Sequence, residues 1–405
     1  MKILIIVAYF IPEIGSAAHV YYDLAKAFVE RSHEVDIITS YPRDFNLIEN
    51  DRGKSFKLDE NMGGISIHRF KYKAARDDII FRGLEHFLLP LCYFKLYLRL
   101  KKKFDVCLMY IPPLPLCYLA RLIKRFDGTP SVLNFQDFHP QELMDVGVLK
   151  NRALIKLMEY IEHQSYKNAD FITVLSEGGI GYICQRGGNP FKIKHIYNGC
   201  VISDLNPSQM KMDFKNKEGI EGKFLVSYAG ILSPFQGLDI ILDAAKSLKE
   251  HKDIIFYIVG DGLIKNHLEQ RIIQENLNNV RILPFQTRCE YLNIINSSDI
   301  SLVCLDERMK APCIPGKLTN LMALNKPLIA IVPHDSETAR VMRKSKNGFV
   351  VPPGDIKALS ETVLLFRNNK SIQAIGKNGE IFLRDKMDLN KNILLYEEIF
   401  NMLVN

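Results

Sequence analysis

Short apolar, β-branched runs alternate with helical patterns along this chain, and the alternation stops once and then starts again. Alternation of this kind points to parallel strands joined by helical crossovers, because a parallel sheet covered on both faces reads as near-continuous apolar runs. In the first half, strands are expected at Lys2–Ala8, Glu34–Thr39, Ile65–Phe70, Val106–Tyr110, Ser131–Phe135, Phe171–Leu175 and Lys194–Tyr197. Periodicity is lost across NGCVISDLNPSQMKMDFKNKEGIEG, which places a hinge at 198–222. It resumes with the strand KFLVSYAG, a helix near Leu238–Lys249, the strands IIFYIVGDG, VRILPF and DISLVCL, a helix opened by IPGKL, and the strand KPLIAIV. At 405 residues the chain exceeds what one core usually organises. The expectation is an α/β protein of two doubly wound domains, 1–197 and 223–370, with helices over 371–405 packing back toward the first. Such sheets bind ligands at the carboxyl ends of their strands, so two facing sheets imply a cleft between them.

The eight cysteines form no C-x-x-C pair and lie mostly in apolar runs, so they read as small buried hydrophobes rather than a disulfide frame or a zinc site. MKILIIVAYFIPEIG runs straight into turn residues without a small-residue cleavage site and is read as strand one, not a signal peptide. No stretch reaches the roughly 20 apolar residues that span a bilayer. The nearest is 79–104, whose longest charge-free run, Phe87–Phe94, is interrupted by Pro90. From Arg69 to Lys103 there are ten Lys or Arg against three acids, a net +7 that equals the formal charge of the whole chain. An apolar helix beside such a cluster can lie in an anionic membrane interface; a buried helix with a solvated basic end fits equally well.

Three turns of the second half sit at strand ends: SYAGILSPFQGLD at 227–239, IVGDG at 258–262 and CIPGKLTN at 313–320. In the third, Ile314 and Pro315 enter a helix, Gly316 permits close approach of the backbone, and Lys317 follows as a surface lysine of the first turn. Unpaired N–H groups and the helix dipole make that turn a place for phosphate. Singly, each glycine turn is also what any strand-to-helix connection needs for positive φ.

In this order the motifs resemble the family 4 retaining glycosyltransferases of the GT-B fold. The likeness covers nearly the whole chain: PEIGSAAHVYYDLAKAFVERSHEVDIIT, YNGCVISDLNP, VGDG, IPGKLTNLMALNKPLIA and SETARVM with NGFVVPPGD. FQDFHPQELMDVGVLKN and FQGLD are similar to the bacterial envelope-polysaccharide members, fucosaminyl and colanic-acid transferases among them. The resemblance implies that the anion is the diphosphate of a nucleotide sugar, with UDP favoured, held by Lys317, the turn around it and backbone N–H groups near Gly15 and Ser16. It also implies no cofactor and no metal, and no D-x-D pattern is present. The donor set so implied is Gly15, Ser16, Gly230, Gln236, Gly260, Gly262, Phe285, Pro315, Gly316, Lys317, Leu318, Asn320 and Glu337. Three departures stand out. The family's Glu-x7-Glu falls on Pro312 and Asn320, its turn Arg and Lys fall on Ile231 and Gln236, and its first-half histidine falls on Gln136. Asn320 can still hydrogen-bond a ribose hydroxyl; Pro312 has no side-chain group to do so.

Asp137 follows the strand Ser131–Phe135, where it is placed to orient an acceptor hydroxyl or take its proton, with His139 second. A cap on the following turn is the competing role for Asp137, and a first-turn acid favoured by the dipole is the competing role for Glu337. The expected activity is a metal-independent, retaining transfer from a nucleotide-sugar donor to a polyprenyl-diphosphate-linked sugar at the cytoplasmic membrane face, in O-antigen, capsule or exopolysaccharide synthesis. The alternatives are a GT-B UDP-sugar epimerase and a nucleotide-sugar-binding homologue without catalysis. No nucleic-acid partner is expected.

Overall fold

A computed structural model of the chain describes residues 1–13, 15–43, 47–48, 51–71, 79–201, 213–369 and 371–405. Two compact units emerge. The first takes 1–199, 311–313 and 389–405; the second takes 200–310 and 314–388. The middle of the expected hinge, 202–212, lies outside the described residues. The C-terminal helices divide: Ile372–Lys386 stays with the second unit and only Leu389–Val404 joins the first.

The first unit is built on strands β1 (Lys2–Ile6), β2 (Glu34–Ser40), β3 (Asp59–Met62), β4 (Ile65–Phe70), β5 (Val106–Ile111), β6 (Ser131–Phe135), β7 (Phe171–Val174) and β8 (Ile193–His195). They lie in the order β3-β4-β2-β1-β5-β6-β7-β8, parallel throughout except for β3 on β4. Every residue of β5, β6 and β7 is buried, as a sheet covered on both faces requires. β3 reads DENM and buries nothing fully, so its sequence carries no strand period. It is fixed instead by the two-residue Gly63–Gly64 connection, both with positive φ, which turns the chain back onto β4. Helix Leu389–Val404 packs Phe400 and Tyr396 on Phe28 of helix Ser16–Glu30, with ring centroids 5.5 and 6.2 Å apart. Glu397 bonds Arg31 and His33 at 2.6 and 2.8 Å.

In the second unit, β9 (Phe224–Ala229), β10 (Ile254–Val259), β11 (Val280–Leu283), β12 (Ile300–Cys304), β13 (Leu328–Ile331) and β14 (Gly348–Val351) form an all-parallel sheet ordered β11-β10-β9-β12-β13-β14. The winding reverses between β9 and β12, and in the first sheet between β1 and β5. These switch points are where open α/β sheets leave a crevice at their carboxyl ends.

Helix Ile79–Leu100 continues through Pro90, and no described helix is long and apolar enough to cross a membrane. All eight cysteines are free; Cys107, Cys117, Cys200, Cys304 and Cys313 are buried as expected, whereas Cys289 is exposed.

Candidate active site

The carboxyl edge of the second sheet gathers most of the expected donor residues. Gly230 follows β9, Gly260 and Gly262 follow β10, Phe285 follows β11, Lys317 opens the helix after β12, and Glu337 opens the helix after β13. The turns interlock through their backbones: Gly230 N donates to Val259 O at 2.9 Å, Leu232 N to Asp261 O at 2.9 Å and Gly260 N to Leu283 O at 2.9 Å. A Cβ on Gly260 would fall 1.9 Å from Gly230 O, and one on Gly262 2.3 Å from Leu232 O. Close packing of turn on turn therefore already demands both glycines, whatever ligand is bound.

Gly230 is different. Its φ is +154°, and the space a Cβ would occupy is filled by the Lys317 ammonium, 2.7 Å away. Lys317 is not the surface residue its position suggests. Its Nζ is buried 3.7 Å from the centroid of the Tyr228 ring and makes no hydrogen bond among the described residues. Burial pushes its pKa down to about 8. A cation on an aromatic face is attracted to the ring quadrupole, but a buried ammonium without an acceptor remains short of solvation. An anion arriving at this turn would supply it. Tyr228, held by a 3.1 Å bond from its hydroxyl to Ile231 O, was not singled out in the sequence, although it stands two residues before Gly230.

The helix Lys317–Ala323 is only seven residues long, so its dipole contributes less than its lysine. Gly316 has φ −60° and ψ −22°, ordinary helical values that do not call for glycine. Leu318 is buried and its N–H is taken by Pro315 O at 3.0 Å, which removes it from the free donors of the turn. Asn320 lies beside the Tyr291 hydroxyl. Gln236 accepts from Ser233 Oγ at 2.5 Å, and Phe285 is half-buried. Glu337 is buried and pairs with Arg340 at 2.7 Å.

In the first unit, Asp137 stands two residues beyond β6 and one beyond Gln136, whose N–H extends the sheet to Ile111 O at 2.9 Å. The Asp137 carboxyl is partly open to solvent yet closely surrounded. It meets no cation and no hydrogen-bond donor among the described residues, and burial raises its pKa to about 6. Gln136 is held by a reciprocal pair with Asn198, at 2.7 and 3.0 Å, and also donates to Asn134, which itself accepts from Tyr21 at 2.7 Å. The residue at the family's histidine position is thus fixed in a neutral amide network. His139 is half-buried on the same turn. Gly15 caps helix Ser16–Glu30 with φ +151° and nothing within 4 Å of a Cβ placed on it, so its backbone is open to approach. The Ser16 side chain lies outside the described residues. Two residues before Gly15, buried Glu13 accepts from Arg43 at 2.8 Å, and Arg43 stacks 3.9 Å over the Tyr9 ring. Nothing in the local pattern of sequence announces that trio.

Two family models match the chain: the glycosyl transferase 4-like domain over residues 15–199 and the glycosyl transferases group 1 over residues 210–381. The chain is 23% identical over 340 residues to the putative colanic acid biosynthesis glycosyl transferase WcaI of Escherichia coli K12, covering 80% of this chain and 81% of that one. It is 24% identical over 295 residues to an Escherichia coli UDP-Gal:alpha-D-GlcNAc-diphosphoundecaprenol alpha-1,3-galactosyltransferase, covering 71% and 73%. Among solved structures, Anabaena Alr3699/HepE in complex with UDP and glucose superposes with a TM-score of 0.72 at 18% identity, over 99% of this chain and all of that one.

Proposed function

The chain belongs to the group 1, family 4-like glycosyltransferases of the GT-B fold, and on that premise we propose that it transfers a sugar, with retention, from a UDP-sugar to a polyprenyl-diphosphate-linked saccharide in the assembly of a bacterial envelope polysaccharide. The observation that carries this reading is Lys317, a buried ammonium with no acceptor among the described residues, at the glycine turn of the switch point. As the glycosidic bond breaks, negative charge gathers on the departing diphosphate, and a cation already in place and poorly solvated stabilises that charge more than it stabilises the ground state. Lys317 in this role makes the transfer metal-independent. Asp137 is the group that receives the acceptor's proton. The relatives support the choice of substrates: one is named for UDP-galactose and a diphosphoundecaprenol-linked acceptor, and another for colanic acid.

A lipid-linked acceptor asks for a membrane-facing surface, and the first unit offers one broader than residues 69–104. Helix Ile79–Leu100 exposes Leu88, Leu91 and Leu98. Phe94 meets Phe126 of helix Leu116–Asp127 edge-on at 6.0 Å, and Leu122 and Phe126 of that helix are exposed. Tyr118 in turn neighbours Tyr160 of helix Arg152–Asn168, which exposes Leu154 and Leu157. Basic side chains are interspersed, but fewer than the net charge suggests. Arg69 is 1% exposed and bound to Glu60, Lys102 is paired with Glu34 and Asp36, and Arg99 is paired with Asp59. Lys73 and Arg76 lie outside the described residues. Among the described basic residues of this stretch, Lys71 is exposed but lies 4.7 Å over the Tyr41 ring, and Lys95, Lys101 and Lys103 are the exposed cations that would meet anionic lipid.

The test is incubation with a panel of nucleotide sugars, with and without a polyprenyl-diphosphate-linked acceptor. Product that forms only with acceptor, and keeps the donor's anomeric configuration, supports the reading. Conversion of the sugar without acceptor makes the protein an epimerase. Thermal stabilisation without any turnover makes it a binder.

A further inference from the structure

We infer that Glu142 is the positioning residue for Asp137: its buried carboxyl ties down the turn that carries Asp137 and keeps the one proton that the two acids share. The inference rests on the reading of Asp137 as the acid–base group.

The turn that leaves β6 is closed by a reciprocal pair of hydrogen bonds. Phe138 N donates to Glu142 Oε1 at 2.8 Å, and Glu142 N donates to Phe138 O at 3.0 Å. Both bonds span the residues immediately after Asp137, so the direction in which Asp137 leaves the strand is set by Glu142. An acid in a first helical turn ordinarily points to solvent; Glu142 is 6% exposed. Among the described residues, no Lys, Arg or His bonds either carboxyl. The guanidinium on the neighbouring helix, Arg186, bonds Gln141 at 3.2 Å, stacks 3.6 Å over the Tyr182 ring and lies 3.8 Å from Glu162.

Among the described residues, the titratable groups seen to interact with the pair are themselves acids. Tyr110 approaches from β5, Asp145 from the same short helix and Cys313 from the segment Ala311–Cys313, which is anchored by Ala311 N on Asp145 Oδ2 at 3.1 Å. Burial and the nearby carboxyls hold the Tyr110 hydroxyl and the Cys313 thiol in their neutral forms. Two carboxyls so enclosed, with no cation, do not both ionise at neutral pH. Glu142 is the deeper of the two, and burial first and then Asp137 raise it against the opposing pull of Phe138 N–H, so the shared proton is assigned to it. With Oε1 engaged by Phe138 N–H, that proton sits on Oε2. Asp137 is left ionised, accessible and more basic than a free carboxylate, as a group receiving a hydroxyl proton needs to be.

Glu142→Gln keeps the shape, keeps an oxygen for Phe138 N–H and imitates the protonated acid; Glu142→Ala removes both the clamp and the proton reservoir. Rates against pH are measured for both variants, with thermal melts as the control for folding. Glu142→Gln should retain turnover within a few-fold of the parent, with its acid limb still near pH 6. Glu142→Ala should lose roughly 10- to 100-fold in kcat with the donor KM unchanged. Its acid limb should move toward the ordinary carboxylate value of about 4. A folded Glu142→Ala protein with the parent's kcat and acid limb overturns the inference. So does a Gln variant as impaired as Ala. Carboxyl-carbon NMR separates this from the catalytic reading: in Asp137→Asn the Glu142 ionisation should move to lower pH. If Asp137→Asn leaves turnover intact while that shift is seen, Asp137 is not the acid–base group but the pair stands. If the Glu142 ionisation does not move, the pair is refuted.

Discussion

The Lys317 ammonium and the Tyr228 ring face each other at 3.7 Å across the space that a side chain at position 230 would need. The sheet therefore holds a cation on an aromatic face, beside a backbone turn, with no anion among the described residues to answer it. Lys317→Met fills nearly the same volume without the charge. It should weaken UDP binding by tenfold or more, about 1.4 kcal/mol per factor of ten, and lower turnover in step. Stability should not fall with it. The wild-type amine is depressed to about 8 against an ordinary value of about 10.4, so the folded state binds fewer protons between those limits and stability rises with pH across them. Below pH 8 the folded protein carries a poorly solvated charge that Met removes. Melting temperatures at pH 7 should be equal or higher in the variant, and a clear loss would show that Lys317 serves packing rather than ligand.

The same residue makes UDP binding a proton-linked event. Diphosphate favours the charged amine, so binding above pH 8 should take up a proton, whereas binding at pH 6.5 should take up none at this site. Calorimetry in buffers of different ionisation enthalpy reads the uptake directly. Affinity should decline as pH rises through about 8 in the parent and not in Lys317→Met.

Asp137→Asn should cut turnover by roughly 10²-fold, the usual scale for loss of acid–base help, and leave donor affinity unchanged. It should also alter stability in a defined window. With its pKa raised to about 6 by burial, the folded Asp137 holds a proton that the unfolded chain has released, so stability falls as pH climbs from about 4 to 6 and then levels off. The Asn variant should therefore melt at a higher temperature than the parent above pH 6, with the gap closing toward pH 4. Equal melting curves at pH 7.5 would show that this carboxylate is better solvated than its surroundings indicate.

Sedimentation with anionic vesicles tests the exposed face of the first unit. Replacing Lys95, Lys101 and Lys103 with Gln should remove up to about 1 kcal/mol of membrane attraction each, and the remaining binding should be the salt-resistant part due to Leu88, Leu91 and Phe126. Lys102→Gln should behave differently. That amine already serves Glu34 and Asp36, so its loss should lower stability and leave vesicle binding nearly unchanged. A Lys102 variant that matches the triple variant in binding would mean that its ion pairs open at the membrane.

Every strand whose burial is complete is one that the sequence announces, and so are alternating ones such as Ile65–Phe70. VCLMYI and SVLNF could hardly be anything but inner strands, and they are β5 and β6. DENM gives no such notice, because an edge strand is fixed by pairing with its neighbour and not by an apolar period. At the site, position in the chain located Lys317 at a strand end but not its burial, since Tyr228 comes from a strand 89 residues earlier. Lys102 reads as part of a basic run because Glu34 and Asp36 sit on a distant strand. Glu142 carries no signal of its own in the sequence, because spacing alone does not reveal whether a carboxylate turns outward or back beneath the strand it follows.

Helix Leu389–Val404 belongs to the unit that residue 1 begins, and residues 200–310 and 314–388 form the other. Phe28 and the Tyr21–Asn134 pair are complete only when Phe400 and Tyr396 arrive, the latter accepting from Asn134 at 3.1 Å. On the ribosome, the first unit must therefore wait, with one apolar flank uncovered, while all of the second is made. The second unit can close as soon as residue 388 has emerged. Order of synthesis and order of completion are reversed: the unit begun first is finished last, and the time needed to translate its partner sets how long that flank stays open to chaperones or to misassociation.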